Sequence, residues 1–124
     1  YMFNSYKGNC QPIQINSDYE LRCNFMFYNA MITGGFPKIV MTKTTDYVAD
    51  VSNIFNGYIL DNIPDGFFDS MASSKIYSYL NMSSMFSNAK YITKIPSSWL
   101  TLASKFSSST SYLNPYSGAF KNCY

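Results

Sequence analysis

One interval constrains this chain more than any other feature: a phenylalanine followed nine or ten residues later by a proline, four times over. Phe3 leads to Pro12, Phe27 to Pro37, Phe55 to Pro64 and Phe86 to Pro96, and Phe120 opens a fifth copy that stops at Tyr124. The residue two after each Phe is Ser5, Asn29, Gly57, Asn88 or Asn122. Apolar residues then fall before the proline, as in Leu60 and Ile63 or Ile92 and Ile95. The interval between successive phenylalanines lengthens at every step along the chain, from Phe3–Phe27 to Phe86–Phe120. The unit is therefore fixed while the connection between units grows. A period of this size is the mark of a stacked repeat, in which each unit buries its apolar edge against its neighbours. The growth in spacing predicts insertions on one face.

Each unit has a physical reading. Asn and Gly tolerate the left-handed conformation that ends a helix. Phe3, Phe27, Phe55, Phe86 and Phe120 are therefore expected in the last turn of short helices, with Asn29, Gly57, Asn88 and Asn122 as the stops. The apolar pairs after them are too short for helices and suit brief inward-facing strands. Pro12, Pro37, Pro64 and Pro96 close those strands, since proline donates no ladder hydrogen bond.

The local signals extend this pattern. Ser17-Asp18-Tyr19-Glu20 has the spacing of a capping box and predicts a helix to Asn29, with Tyr19, Cys23, Met26 and Phe27 inward. Thr45 and Asp46 predict another to Gly57 through Val48, Val51 and Phe55. A third is expected from about Ser74, facing Ile76, Tyr79, Met82 and Phe86 inward. Trp99, Leu102, Ala103 and Phe106 keep helical spacing after Pro96, and Asn114-Pro115 reads as a further helix start towards Phe120. Residues 13–15 and 31–43 read as extended, with a bend at Gly34-Gly35, 60–68 as an extended turn, and 107–111 as a serine-rich loop. Helix, turn and short strand thus recur without a second domain or a linker.

The pattern Met-Phe-x-Asn/Gly-small-x-x-Leu/Ile-x-x-Ile-Pro resembles the BspA-type leucine-rich repeat, seen here most fully in Met85-Phe86-Ser87-Asn88-Ala89 with Ile92, Ile95 and Pro96. The resemblance covers nearly the whole chain. The cysteine usual after the turn residue is present only as Cys123; Ala30 and Ala89 are small replacements, and Tyr6 and Tyr58 are large ones. The resemblance implies an α/β repeat, a leucine-rich-repeat-like solenoid of short helices and short strands. It would span residues 1–124 as one repeat domain, with about four full units and a partial fifth. It also implies an adhesive or interaction role on a bacterial cell surface or phage particle, and it transfers no catalytic residue.

Composition narrows the function classes. Charged residues make up 13% of the chain, against a usual ~25%, and the net charge is +2. That is too little to argue for nucleic acid or an anionic membrane, and no apolar run approaches the ~20 residues that cross a bilayer. The chain starts and stops inside a repeat, which leads us to expect a piece of a longer chain or ends that dock on partners.

Histidine is absent, which removes the commonest general base and neutral-pH metal ligand. Asp61, Asp65 and Asp69 share one turn, but it lacks the alternating ligands and final Glu of a calcium loop. As paired acids for glycoside hydrolysis they look like any acidic surface turn, so a hydrolase is the least favoured reading. Gly34-Gly35 lacks the lysine of a phosphate loop. No cofactor and no metal site is expected. Cys10, Cys23 and Cys123 form no metal or disulfide framework; Cys10 and Cys23 could approach if adjacent units stack, and buried free thiols are the plainer expectation.

Twelve tyrosines are the one surplus. Tyr58, Tyr77, Tyr91, Tyr112 and Tyr116 lie outside the strongest core positions and are the candidate binding face for protein or glycan, against the plainer reading of tyrosines half-buried between repeats. The expected function is a non-enzymatic, surface-exposed repeat module for binding or adhesion. The alternative is a structural subunit of a virion or cell-surface assembly, whose partners are neighbouring subunits.

Overall fold

A computed structural model describes residues 2–9, 13–18, 20–33, 35–42, 47–59, 63–72, 77–104 and 116–123. Every ladder Phe sits in an arc of overlapping β-turns rather than in a helix. In the second unit the N–H groups of Met26, Tyr28 and Ala30 donate to the carbonyls of Cys23, Phe25 and Phe27, each three residues back. The third unit repeats this from Val51, Asn53 and Phe55, the fourth from Met82, Ser84 and Phe86, and the fifth from Tyr116, Gly118 and Phe120. In the second to fifth arcs two residues take positive φ, and in the first Ser5 does. One lies two before the Phe: Phe25 at 57°, Asn53 at 54°, Ser84 at 53°, Gly118 at 64°. The other lies two after it: Ser5 at 58°, Asn29 at 53°, Gly57 at 71°, Asn88 and Asn122 at 57°. A positive φ at the third position of a four-residue turn is the type II signature. The left-handed residue after each Phe is therefore present, but it closes a turn and not a helix.

Short strands flank the arcs, all paired in parallel. Strands β1 (Lys7–Asn9) and β4 (Met31–Thr33) pair after the first two arcs, and an isolated Ile59–Lys90 bridge joins the next two units on the equivalent residues. Before the arcs, β3 (Glu20–Arg22), β6 (Tyr47–Asp50) and β7 (Tyr77–Asn81) form a three-stranded sheet. On a third side β2 (Gln14–Ser17) pairs with β5 (Lys38–Met41). Two helices then take over that side, α1 (Asp69–Ala72) and α2 (Ser97–Ser104). Met41 N–H donates to Ser70 Oγ at 2.6 Å, fastening β5 to α1. Ser98 Oγ donates to the Asp65 carbonyl at 3.3 Å, tying α2 to the turn before α1.

The register reproduces the sequence period. Lys7 pairs with Met31 and Gln14 with Lys38, each partner displaced by the Phe3–Phe27 interval. Glu20 pairs with Val48, displaced as Phe27 is from Phe55. Val48 pairs with Tyr79 and Ile59 with Lys90, displaced as Phe55 is from Phe86. One-unit displacement thus governs all the sides of the stack. An irregularity between Tyr47 and Val48 absorbs the odd residue.

The core follows from this stacking. Phe3, Phe27, Phe55, Phe86 and Phe120 lie ring upon ring, with centroids 5.3, 5.4, 5.3 and 5.4 Å apart and planes within 11° of parallel. Facing them, Phe36, Phe67 and Trp99 present a second row. Phe67 and Trp99 stand edge-on to the ladder, with Trp99 4.9 Å from Phe120 at 84°, while Phe36 lies tilted 4.9 Å from Phe55. Edge-to-face contacts satisfy the ring quadrupoles that a pure sandwich opposes. The Pro-x-x-aromatic pattern places two members of this row, because Phe67 N–H donates to the Pro64 carbonyl and Trp99 N–H to that of Pro96, both at 3.0 Å. Among the described residues no buried side-chain polar atom lacks a partner.

Four expectations need correction. The helices expected before Asn29, Gly57 and Asn88 are strands β3, β6 and β7 followed by turns. Ser17 is no helix cap, since its hydroxyl donates to the Glu20 carbonyl at 2.7 Å. Residues 116–122 are turns, not helix. Ile95, expected to face inward, is 45% exposed, and Ile92 is only partly buried. The helix after Pro96 is present as α2, and Trp99 and Leu102 are buried. Expectations for Cys10, Pro12, Tyr19, Gly34, Thr45, Asp46, Leu60, Asp61, Asn62, Ser74, Ile76, Phe106, the 107–111 loop, Tyr112, Asn114 and Pro115 lie outside the described residues.

Candidate interaction surfaces

The five candidate tyrosines do not form one face. Tyr58 is 1% exposed, so it cannot contribute to a surface. Its hydroxyl lies 3.3 Å from the Ile32 N–H, which donates to it. Burial pushes the Tyr58 pKa up, and its bond to the Ile32 backbone opposes that shift in part. Tyr77 is half-buried and its hydroxyl donates to the Met71 carbonyl at 2.8 Å, closing β7 onto α1. Tyr116 is half-buried against Trp99, and burial raises its pKa too. Tyr112 lies outside the described residues. Of the four that are described, Tyr91 alone is open, at 60% exposure.

Tyr91 also has φ at 66°. A bulky non-glycine side chain in that region costs about 1–2 kcal/mol. It follows Lys90 directly after the fourth arc, on the side occupied in earlier units by Tyr6 and Met31, which are also exposed. Tyr79 is exposed on the opposite flank, in β7. Neither Tyr6 nor Tyr79 is among the candidates that the sequence offers. Tyr79, expected on a helical inward face, lies in a strand and points away from its neighbour Leu80, which is buried.

Of the turn acids, Asp61 lies outside the described residues. Asp65 forms an exposed ion pair with Lys94 at 2.9 Å, and Asp69 opens α1. Among the described residues no cluster of three metal-ligating side chains occurs.

Polar groups line the arcs in a regular way. Asn88 Nδ2 donates to Asn56 Oδ1 at 3.2 Å, and Asn122 Nδ2 to Asn88 Oδ1 at 3.1 Å. At the arc entrances, Asp50 Oδ1 accepts from Ser52 N–H and Oγ at 3.1 and 2.7 Å. Asn81 Oδ1 accepts from Ser83 N–H and Oγ at 3.1 and 2.8 Å, the same local turn one unit on. These side-chain oxygens satisfy backbone donors at the start of each turn.

The Cys23 thiol is free and buried. Burial, then the negative charge of Asp50, pushes its pKa up to about 12. A thiol so protonated is neither nucleophile nor metal ligand at neutral pH. Cys123 is free and half-buried; its Sγ donates to the Phe86 carbonyl at 3.0 Å. Burial raises its pKa, and a hydrogen bond with the Ala89 backbone works against that shift.

No protein-family model, no curated protein and no solved structure matches this chain. No helix among the described residues is long and apolar enough to cross a membrane.

Proposed function

We propose that this chain is a non-catalytic binding module built as a leucine-rich-repeat-like solenoid, displayed on a bacterial cell or a phage particle. Its ligand would be a protein or a carbohydrate. One observation carries the reading. A ladder of stacked rings and in-register parallel bonds holds the backbone, while Tyr91 stands 60% exposed in a strained conformation on the side it shares with Tyr6 and Met31. Exposed aromatics on a stiff frame lose little freedom on binding and offer both an apolar ring and a polar tip. The resemblance to BspA-type repeats supports the extracellular setting.

The test is a protein and glycan array probed with the whole chain and with Tyr91→Ser and Tyr6→Ser variants. Binding that falls in both variants, with unchanged thermal midpoints or a higher one for Tyr91→Ser, supports the reading. Binding indifferent to both substitutions, or none to any array, removes it.

A structural subunit of a virion or surface assembly is the second reading. It is favoured by the low charge of the chain, 13% of residues, which suits extended contact with neighbouring subunits.

A further inference from the structure

We propose that Asn56-Gly57 is a latent modification site, a deamidation site that the neighbouring arcs hold shut and that opens when the third arc parts from the fourth. The ligand-binding and assembly readings do not depend on it.

The inference starts from the sequence. Asparagine is among the thermolabile residues, and its lability depends on the residue that follows, whose peptide nitrogen is the internal nucleophile. A side chain on that residue screens the nitrogen, and glycine has none. Asn56-Gly57 is the only Asn-Gly pair in the chain; every other asparagine precedes a residue with a side chain.

The reaction needs neither oxidant nor reductant. The Gly57 nitrogen gives its proton to hydroxide and attacks Asn56 Cγ. The new N–Cγ bond closes a five-membered succinimide, the Cγ–Nδ2 bond breaks, and Nδ2 leaves as ammonia with a proton from water. Water then opens the ring at either carbonyl. One opening leaves aspartate. The other leaves isoaspartate, whose backbone runs through the former side chain and carries one extra carbon.

The fold opposes the first step from both sides. The Asn56–Gly57 peptide is bonded on both edges: its carbonyl accepts from the Asn29 N–H at 2.8 Å, and its N–H donates to the Ser87 carbonyl at 2.8 Å. The Asn56 carboxamide is held too. Its Nδ2 donates to Asn53 Oδ1 at 2.9 Å, and its Oδ1 accepts from Asn88 Nδ2 at 3.2 Å. The side chain is thus drawn back towards the start of its own arc and across to the fourth. For the nitrogen to face Cγ at attacking distance, the peptide must turn and the carboxamide must leave these partners. Ser87 is buried, so water does not stand in for its carbonyl while the arcs are stacked.

Local opening of a fold is easier than its complete unfolding. Parting the third arc from the fourth removes the Ser87 and Asn88 contacts together. The product then keeps the arcs apart. Isoaspartate lengthens the chain inside the turn that Tyr58 N–H closes onto the Phe55 carbonyl at 3.0 Å, and Gly57 no longer meets Ser87 in step. A transient separation becomes a covalent record.

The experiment incubates the 124-residue chain at mildly alkaline pH, folded and in urea. Peptide mass spectrometry follows Asn56, and isoaspartyl methyltransferase labelling separates the two products. Two backbone bonds must break in the fold, so we expect the folded chain to deamidate at least about tenfold more slowly than the unfolded one. Asn88→Gly removes one carboxamide partner and suits the φ of 57° at that position. It should raise the folded rate roughly threefold, the reach of one hydrogen bond, and leave the rate in urea unchanged. If circular dichroism shows that this variant does not fold, Asn53→Gly, at φ 54°, removes the other partner and carries the same expectation. Equal rates in the folded and unfolded chains overturn the proposal, and so does a folded variant that deamidates at the wild-type rate. Acceleration by Phe3→Ala as large as by Asn88→Gly also overturns it, by tracing the reaction to global unfolding instead of the third–fourth contact.

Discussion

The carboxamide oxygen of Asn29 occupies the space that a Cβ on Gly57 would need. Both residues are the left-handed members of their arcs, at φ 53° and 71°. The Asn–Asn contacts that link Asn122, Asn88 and Asn56 along the arcs stop here, and Asn29 leans over the bare glycine instead.

Gly57 is therefore constrained twice, by φ and by its neighbour. Gly57→Val should cost about 2 kcal/mol or more, since a β-branched residue at positive φ is a severe outlier. Gly57→Asn should cost under about 1 kcal/mol, because Asn tolerates that conformation and the Asn29 side chain can swing aside. Urea denaturation of both variants checks the order; equal losses would mean φ does not govern the site.

The phenylalanine ladder predicts a gradient. Phe27, Phe55 and Phe86 are fully buried between two rings, whereas Phe3 and Phe120 are covered on one face. Phe55→Ala and Phe86→Ala should each cost about 3–5 kcal/mol, and Phe3→Ala clearly less. A flat series across the ladder would show that the rings do not form one continuous core.

Cys23 predicts an alkaline limit. The unfolded chain ionises this thiol near the ordinary value of 9.0, while the folded chain holds its proton to about 12. Below pH 9 the contribution is constant; as pH rises from 9 to about 12 the unfolded state binds fewer protons, so stability falls. The slope is at most about 1.4 kcal/mol per pH unit. Cys23→Ala should flatten that part of the curve. Asp50→Asn keeps the acceptor for Ser52, as Asn81 does for Ser83, and removes the charge facing the thiol. It should leave the neutral-pH melt nearly unchanged and lower the Cys23 pKa, read by thiol absorbance on titration.

Tyr91 predicts a conflict between stability and binding. Tyr91→Gly relieves a strain of about 1 kcal/mol, partly offset by the freedom glycine adds to the unfolded chain. A thermal midpoint at or above wild type, with array binding lost, is the expected pair of results. A lower midpoint would mean the ring stabilises the fold.

Some of this arrangement is legible in the residues and some is not. The ladder Phe is constrained by volume and by stacking, and the residue after it by φ. Both pressures act on side-chain identity, so Phe27, Phe55 and Phe86 and Asn29, Gly57 and Asn88 recur. The other left-handed position holds Phe25, Asn53, Ser84 and Gly118; three of these are turn-forming residues, but Phe25 breaks the series and hides the position. Val48, Val51 and Phe55 keep a helical interval, and so predict helix where β6 and its arc lie. The four residues of that strand, running straight into a turn, are too few for a period of their own to emerge. Tyr58 misleads for the opposite reason: its polar tip argues for a surface, but the Ile32 backbone supplies a partner inside.

The change of the third side from strand to helix has a consequence for how unit length should be understood. A strand advances roughly twice as far per residue as a helix does. The four residues of β5 and the eight of α2 therefore span about the same distance. The same wall is crossed with twice the residues. The lengthening interval between ladder phenylalanines thus includes a denser winding of chain over a fixed distance, and need not mean added loops. Units of different length remain interchangeable as long as the arcs keep step.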